Sequence, residues 1–430
     1  MRRRVLLVSP HFPPVNAPDM QRARQSLPYL AELGWDAEVL CVAAEDVAAP
    51  QDLLLADAIP AGVPIHRVSV MSAALGRWLG RGTLGPRARG PLRRAGDVLL
   101  RTGRFDLVFF TTTQFIVLTL GPRWRQRHGV PFVVDWQDPW FTDYYLRPGS
   151  PKPPGGWKYR FSHSQARRHE GQTLQHAAGW VGTSEVYQHD LAARYPWFAR
   201  MPRAVIPFGA DRKDFAIAQR HAVAPAFSRR AGVRHLVYVG AVGAIMRPAL
   251  QLFFAGLCAW LSRHPGARSQ VAVHFIGTSY APPGSEKPSV RELAEAVGVG
   301  DLVEEQPARI GHFAALSTMC AADALLLLGS ADAGYSPSKI ATLAFAERPV
   351  LALVPGDGAL AAQLRKLEFA HVACFTPEPD TAAVAAFFDR TWEPKFTSSP
   401  HCQLLGAEQR TRELTGLFAR ALDFAATAHE

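Results

Sequence analysis

Ser338 and Lys339 place a hydroxyl and a cation side by side, directly after Ser336-Pro337. The apolar run Ala324-Leu-Leu-Leu-Leu-Gly329 precedes this group, and a second run, Val350-Leu-Ala-Leu-Val354, follows it. The segment therefore reads as strand, loop, helix, strand. Pro337 suits the first helical position and Ser336 the N-cap, which puts Ser338 and Lys339 in the first turn. Helix starts favour carboxylates, so a lysine there calls for an anion. Backbone N–H groups, a serine hydroxyl and a lysine beyond the C-terminal end of a strand suit the phosphates of a nucleotide.

A second group of reactive side chains lies in Val133-Val-Asp-Trp-Gln-Asp-Pro-Trp140. Asp138 follows a buried strand, where a carboxylate can orient or deprotonate a hydroxyl; Asp135 is the alternative. His11, in the loop leaving the first strand, can bind hydroxyls. Trp136, Trp140 and Tyr144 can stack on a ligand or serve as core aromatics.

These residues need a scaffold, and 430 residues with 48% hydrophobic and 20% charged side chains supply a folded chain of two domains. Val5-Leu-Leu-Val8 is a first strand, Asp19 to Leu33 a helix ending at Gly34, and Asp36 to Val42 a second strand. Further strands are expected at 64–70, 107–110, 132–134 and 179–182, with a basic helix over 156–178. The polar stretch 212–234 leads out of this domain. A second alternation follows, with strands at 235–240, 271–277, 302–305, 324–328 and 350–354 and helices at 247–263 and 290–297. Alternating strand and helix predicts an α/β protein of two doubly wound parallel sheets. The expected boundaries are 1–210 and 211–400, with a last helix over 404–427 returning to the first domain.

Five scattered cysteines, Cys41, Cys258, Cys320, Cys374 and Cys402, show no metal-ligand spacing and fit a reducing cytoplasm. No paired acidic metal motif is evident, so no metal is expected. The apolar runs at 5–8 and 107–120 are too short for a signal peptide core or a membrane span. The net charge of +10 points to anionic partners. Eight arginines against one acid, Asp97, lie between Gly76 and Phe105, interleaved with Trp78, Leu79, Leu84 and Leu92. Such a segment can sit on anionic lipid or form a solvated helix pair. Nucleic acid is disfavoured, because no reading module accompanies these arginines.

Taken in order, several segments resemble a family 4 (group 1) glycosyltransferase of the GT-B fold. They are Val5-Leu-Leu-Val-Ser-Pro-His-Phe-Pro-Pro14 with Gln21-Arg22, the Asp-Pro-Trp140 segment, Val181-Gly-Thr-Ser-Glu185, Ile206-Pro-Phe-Gly-Ala-Asp211, Val237-Tyr-Val-Gly240 and Tyr335-Ser-Pro-Ser-Lys339. The resemblance implies two Rossmann-like doubly wound domains facing a central cleft, the first binding acceptor and the second a nucleotide-sugar. It also implies Gly240, Arg247, Tyr335, Ser336, Ser338, Lys339 and Thr342 as donor-binding residues. Asn16, Arg22 and Trp140 would then meet the acceptor, and Asp138 and His11 would be catalytic. The implied activity is transfer of a sugar, with retention, to a hydroxyl of a surface glycan or lipid-linked acceptor at the inner face of the membrane. The chain departs from the family where two glutamates are usual, with Gly334 and Thr342 in their places, and where Ala241 replaces an arginine. Pro14-Val-Asn-Ala-Pro18 stands where the first loop usually carries a glycine pair. A protein of this fold that binds nucleotide or glycan without transfer is the alternative. A nucleotide-sugar epimerase would need histidine and carboxylate pairs that the sequence does not place.

Overall fold

A computed structural model of the chain describes residues 2–78, 80, 82–142, 157–279, 281, 284–331, 338–356, 358–393 and 400–427. It divides into two compact units, Met1–Phe208 together with Ala407–Glu430, and Gly209–Gly406.

The first unit is built on β1 (Arg3–Val8), β2 (Trp35–Val42), β3 (Ile65–Val68), β4 (Leu107–Thr111), β5 (Phe132–Trp136), β6 (Gly179–Gly182) and β7 (Arg203–Val205). They form a parallel sheet in the order β3-β2-β1-β4-β5-β6-β7. The central strands are apolar throughout because both faces are covered. Leu6, Val8, Val108, Phe110, Phe132 and Val134 point to one core, and Val5, Leu7, Leu107, Phe109 and Val133 to the other. The helix Ala407–Thr427 buries Leu414, Leu417, Phe418 and Ala421 on the second face. Phe418 meets Trp35 and Phe109 edge-on, at 5.2 and 5.1 Å between ring centres. Each such fully buried side chain contributes roughly 1.5–3 kcal/mol.

The basic segment forms helices Ala73–Trp78 and Leu84–Thr102. The longer helix packs Leu84, Ala88, Leu92 and Leu100 onto the first face. Arg87 goes inside with them and donates to the Met71 carbonyl oxygen at 2.6 Å. Arg94, Val98 and Arg101, at helical spacing, remain on the exposed side, and Trp78 is 82% exposed.

The second unit carries β8 (Arg234–Val239), β9 (Val271–Ile276), β10 (Val303–Gln306), β11 (Ala324–Leu328), β12 (Val350–Val354) and β13 (Ala370–Cys374). They form a parallel sheet ordered β10-β9-β8-β11-β12-β13. The helix Arg247–Arg263 is apolar and long enough, with the turn before it, to cross a membrane by composition. It is instead a core helix, burying Phe253, Phe254 and Leu257 beside Leu236, Leu326 and Leu328. The opposite face holds Val237, Leu325, Leu327 and Ala352 against Ile340 and Leu343.

Several elements differ from the sequence reading. The stretch after Asp211 opens with a helix, Arg212–Arg220, whose N-cap Asp211 accepts from the Lys213 N–H at 2.9 Å. Edge strands β7 and β13 escape the reading because they are short or only half-buried, so they lack a continuous apolar run. The first helix is Gln21–Leu30, preceded by a tight turn at Pro18–Met20. Among the described residues the donor-segment helix is Ile340–Phe345, so Ser338 and Lys339 stand before its first turn rather than in it. Lys339 itself occupies the N-cap position; Gly334, Tyr335, Ser336 and Pro337 lie outside the described residues.

In each sheet the chain runs outward from a central strand and then crosses back to start on that strand's other side. The crossing falls between β1 and β4 in the first unit and between β8 and β11 in the second. Open sheets of this kind bind ligands beyond the C-terminal strand ends at that crossing.

Candidate functional site

Two groups of polar residues sit at these crossings, one in each unit.

In the second unit, Lys339 comes from the loop after β11, and its ammonium donates to the carbonyl oxygen of Val239, the last residue of β8. Gly240 makes room for it. A Cβ on Gly240 would lie 2.7 Å from Lys339 Nζ and 3.1 Å from the Tyr238 hydroxyl, and its φ of +153° is a region that favours glycine. The loops after β8 and β11 are joined by the Ala331 N–H, which donates to the Ile245 carbonyl oxygen at 3.0 Å. Burial, and next the positive charge of Arg309, lower the Lys339 pKa to about 8. Arg309 lies in the loop after β10, whose backbone abuts Gly277 at the end of β9. Among the described residues, no carboxylate is paired with Lys339. An ammonium held against a carbonyl, with a second cation nearby, is a site short of negative charge.

Ser338 is exposed beside Lys339, and Thr342 is half-buried in the helix that follows. Arg247 is exposed at the first position of the helix Arg247–Arg263, after the loop that begins at Gly240. Tyr335 and Ser336, the remaining expected donor residues, fall outside the described residues.

In the first unit, His11 leaves the end of β1, Thr112 and Thr113 the end of β4, and Gln137 and Asp138 the end of β5. Asp19 links the first two. Its carboxylate takes a 2.7 Å hydrogen bond from His11 Nδ1 and further ones from the Thr112 hydroxyl and the Thr113 N–H and hydroxyl. Burial works to raise the Asp19 pKa, but the bond and charge of His11 and the threonine donors hold it below the usual carboxylate range. With Nδ1 held on Asp19, Nε2 is the His11 nitrogen left to meet a ligand.

Asp138 is exposed, with its carboxyl partly desolvated and within reach of the Asp19 charge. That desolvation, with Asp19 second, raises its pKa above the usual carboxylate range. One carboxyl is thus pushed down and its neighbour up, the arrangement that separates proton-holding from charge-holding roles.

The other expected residues of this unit have partners of their own in the structure. Arg22 is not presented to an acceptor: its Nε donates to Asp135 at 2.8 Å and its terminal amine to the Ile206 carbonyl oxygen at 2.7 Å, all buried. The reason is Asp135, which is fully enclosed between strands and needs a paired cation. Asp135, also bonded to Thr111 and Gln137, is therefore no substitute for Asp138. Trp140 belongs to an aromatic cluster, near-parallel to Phe115 at 5.7 Å and to His169 at 6.3 Å, and Trp136 is core. Asn16 is half-buried, its N–H fixed to the Pro50 carbonyl oxygen at 2.8 Å. Tyr144 lies outside the described residues.

Sequence reading missed Asp19, Gln137, Thr112, Thr113 and Arg309. For Asp19 the signal was its place just before a helix, eight positions after His11; the others carried none. Among the described residues, no group of three or more metal-ligating side chains is present.

Residues 21–209 match the family described as glycosyl transferase 4-like domain. A search of curated protein sequences finds no match. Solved structures match over nearly the whole chain. The N-terminal domain of Candida albicans trehalose-6-phosphate phosphatase aligns with a TM-score of 0.62 and 12% identity, covering 98% of this chain and 97% of that one. The catalytic domain of starch synthase IV from Arabidopsis thaliana, bound to ADP and acarbose, aligns at 0.60 and 10% identity, covering 98% and 100%. HepE of Anabaena, in complex with UDP and glucose, aligns at 0.55 and 13% identity, covering 97% and 100%. At these identities the likeness to the solved structures is one of fold. With two doubly wound parallel sheets and these structural likenesses, the chain has the GT-B fold, and residues 21–209 are similar to the glycosyl transferase 4-like domain.

Proposed function

We propose that the chain is a glycosyltransferase that moves a sugar from a nucleotide-sugar donor to a hydroxyl of a glycan or lipid-linked acceptor. The observation that carries this reading is the Lys339 ammonium at the crossing of the second sheet, within the field of Arg309 and, among the described residues, without a carboxylate partner. When the bond between sugar and diphosphate breaks, negative charge grows on the departing diphosphate and positive charge on the sugar. Fixed cations aimed at the diphosphate stabilise that state without rearrangement. Lys339 takes this role, with Ser338 and Arg247 as further donors and Gly240 as the opening that admits Lys339. The cations make a metal unnecessary. In the first unit, Asp138 receives or orients the acceptor hydroxyl proton, and His11 Nε2 holds a neighbouring hydroxyl.

The finer reading follows from the resemblance and the charge pattern. Transfer retains the anomeric configuration, the acceptor belongs to surface polysaccharide synthesis, and the protein works in the cytoplasm at the inner face of the membrane. The exposed Trp78, Arg94 and Arg101 support contact with anionic lipid.

A thermal-shift screen against UDP, GDP, ADP, dTDP and their common sugar conjugates, without and then with Mg²⁺, tests the donor site. Stabilisation by one nucleotide without Mg²⁺ supports the reading, and no shift with any of them ends it. A second reading, a nucleotide-binding protein without transfer, is favoured by the loss of Arg22 from the acceptor side into its pair with Asp135. Stabilisation by nucleotide with no sugar transfer to any acceptor glycan would select it.

A further inference from the structure

Asp138 stands between two anchored residues. On one side, the Gln137 side-chain amide donates to the Asp19 carbonyl oxygen at 2.9 Å, to Thr111 at 3.0 Å and to Asp135 at 2.8 Å. On the other side, the Phe141 N–H donates to a carboxylate oxygen of Glu170 at 3.0 Å. Glu170 lies in the helix Trp157–Gln175, far from the motifs of the sequence, and is fully buried. Its second oxygen accepts from Arg194 and, at 3.3 Å, from the Tyr195 hydroxyl. The Arg194 guanidinium also covers the Phe141 ring at 4.6 Å, with Arg167 at 6.0 Å and His163 at 4.4 Å from the same ring.

A buried ion pair is a costly way to hold a helix in place, since apolar residues of similar volume pack at least as well. What the carboxylate adds here is direction. One oxygen fixes the backbone three residues after Asp138, and the other locks the acid itself. We propose that Glu170 is a positioning residue for Asp138, holding the exit of its loop and with it the place of the Asp138 carboxyl. This rests on the acid/base reading of Asp138. The titratable and charged groups involved are Asp19, whose charge reaches Asp138, and Arg194, Tyr195 and Arg167 around Glu170 and Phe141. Burial raises the Glu170 pKa even against the Arg194 pair, so a neutral replacement is tolerable to the core.

The test uses the full chain with ¹³C-carboxyl-labelled aspartate, Asp138 being assigned by its loss in Asp138→Asn. Glu170→Gln keeps the shape but sets an amide against Arg194. The Asp138 titration midpoint should fall back toward the ordinary carboxylate range, and kcat for transfer should drop about tenfold or more with donor KM unchanged. Should Glu170→Gln fail to fold, Arg194→Lys keeps a cation beside Glu170 but loses the stack on Phe141. It should move the midpoint the same way by less. A lowered Tm with an unmoved Asp138 midpoint, in whichever variant folds, overturns the proposal and leaves Glu170 a packing residue. Full transfer activity in Asp138→Asn would instead end the acid/base reading, while the midpoint would still report whether Glu170 places that side chain.

Discussion

Lys339 donates to the carbonyl oxygen of Val239, so a side chain from the loop after one strand rests on the end of the strand across the sheet's crossing point. The contact joins the two loops between which an open parallel sheet takes its ligand. An anion arriving there meets an ammonium already in place.

Lys339→Ala should weaken nucleotide binding by about 1.5–3 kcal/mol, the usual worth of a charge-assisted bond, or roughly ten- to a hundredfold. Calorimetric titration with the nucleotide found in the thermal-shift screen measures it. An unchanged Kd would remove Lys339 from the donor site.

Binding should also depend on pH. With the Lys339 pKa lowered to about 8 by burial and by Arg309, the ammonium is lost as pH rises through that value, and nucleotide affinity should fall with it. For stability the sign is opposite. The unfolded chain, with an ordinary lysine value of 10.5, holds the proton longer, so this group makes the fold more stable as pH rises from about 8 to 10.5. Kd measured from pH 7 to 9.5 checks the first statement, and its absence in Lys339→Ala assigns it.

Gly240→Ala places a Cβ 2.7 Å from Lys339 Nζ at a φ of +153°. The lysine end can swing away more cheaply than the strand can shift. Nucleotide stabilisation should therefore be lost while the fold loses about 1 kcal/mol or more from backbone strain. Retained nucleotide affinity would show that Lys339 binds equally well from another position.

Asp138→Asn should leave nucleotide affinity unchanged and slow transfer on the order of a hundredfold or more, the usual contribution of a positioned acid or base. Because burial and Asp19 raise the Asp138 pKa, the acid limb of the wild-type rate profile should lie above the ordinary carboxylate range. Wild-type rates in the variant would make Asp138 a turn residue.

Arg22→Ala should act on folding rather than on acceptor affinity. It leaves Asp135 buried and unpaired, which costs about 3–5 kcal/mol. Urea unfolding measures this, and a loss below 1 kcal/mol would return Arg22 to the list of acceptor contacts.

The sheets were legible because a parallel strand covered on both faces must be apolar throughout, as at Val5–Val8, Leu107–Phe110 and Leu325–Leu328. The start of the donor-segment helix was misplaced because proline and serine preferences are local and weak, and the observed helix begins only at Ile340. Trp140 was indistinguishable in sequence from a sugar-stacking ring, since stacking partners such as Phe115 and His169 come from distant segments.

By itself the sequence determined the two doubly wound sheets, the strand ends where Asp138, His11 and Gly240 would emerge, and the presence of Lys339 near one of them. Apolar periodicity and glycine placement act over a few residues, so they survive without knowledge of the fold. Tertiary structure alone decided which polar groups meet. It bound His11 to Asp19, sent Arg22 to Asp135, brought Lys339 over Gly240 and tied Phe141 to Glu170, because a buried charge takes whatever partner the fold brings within a few ångströms.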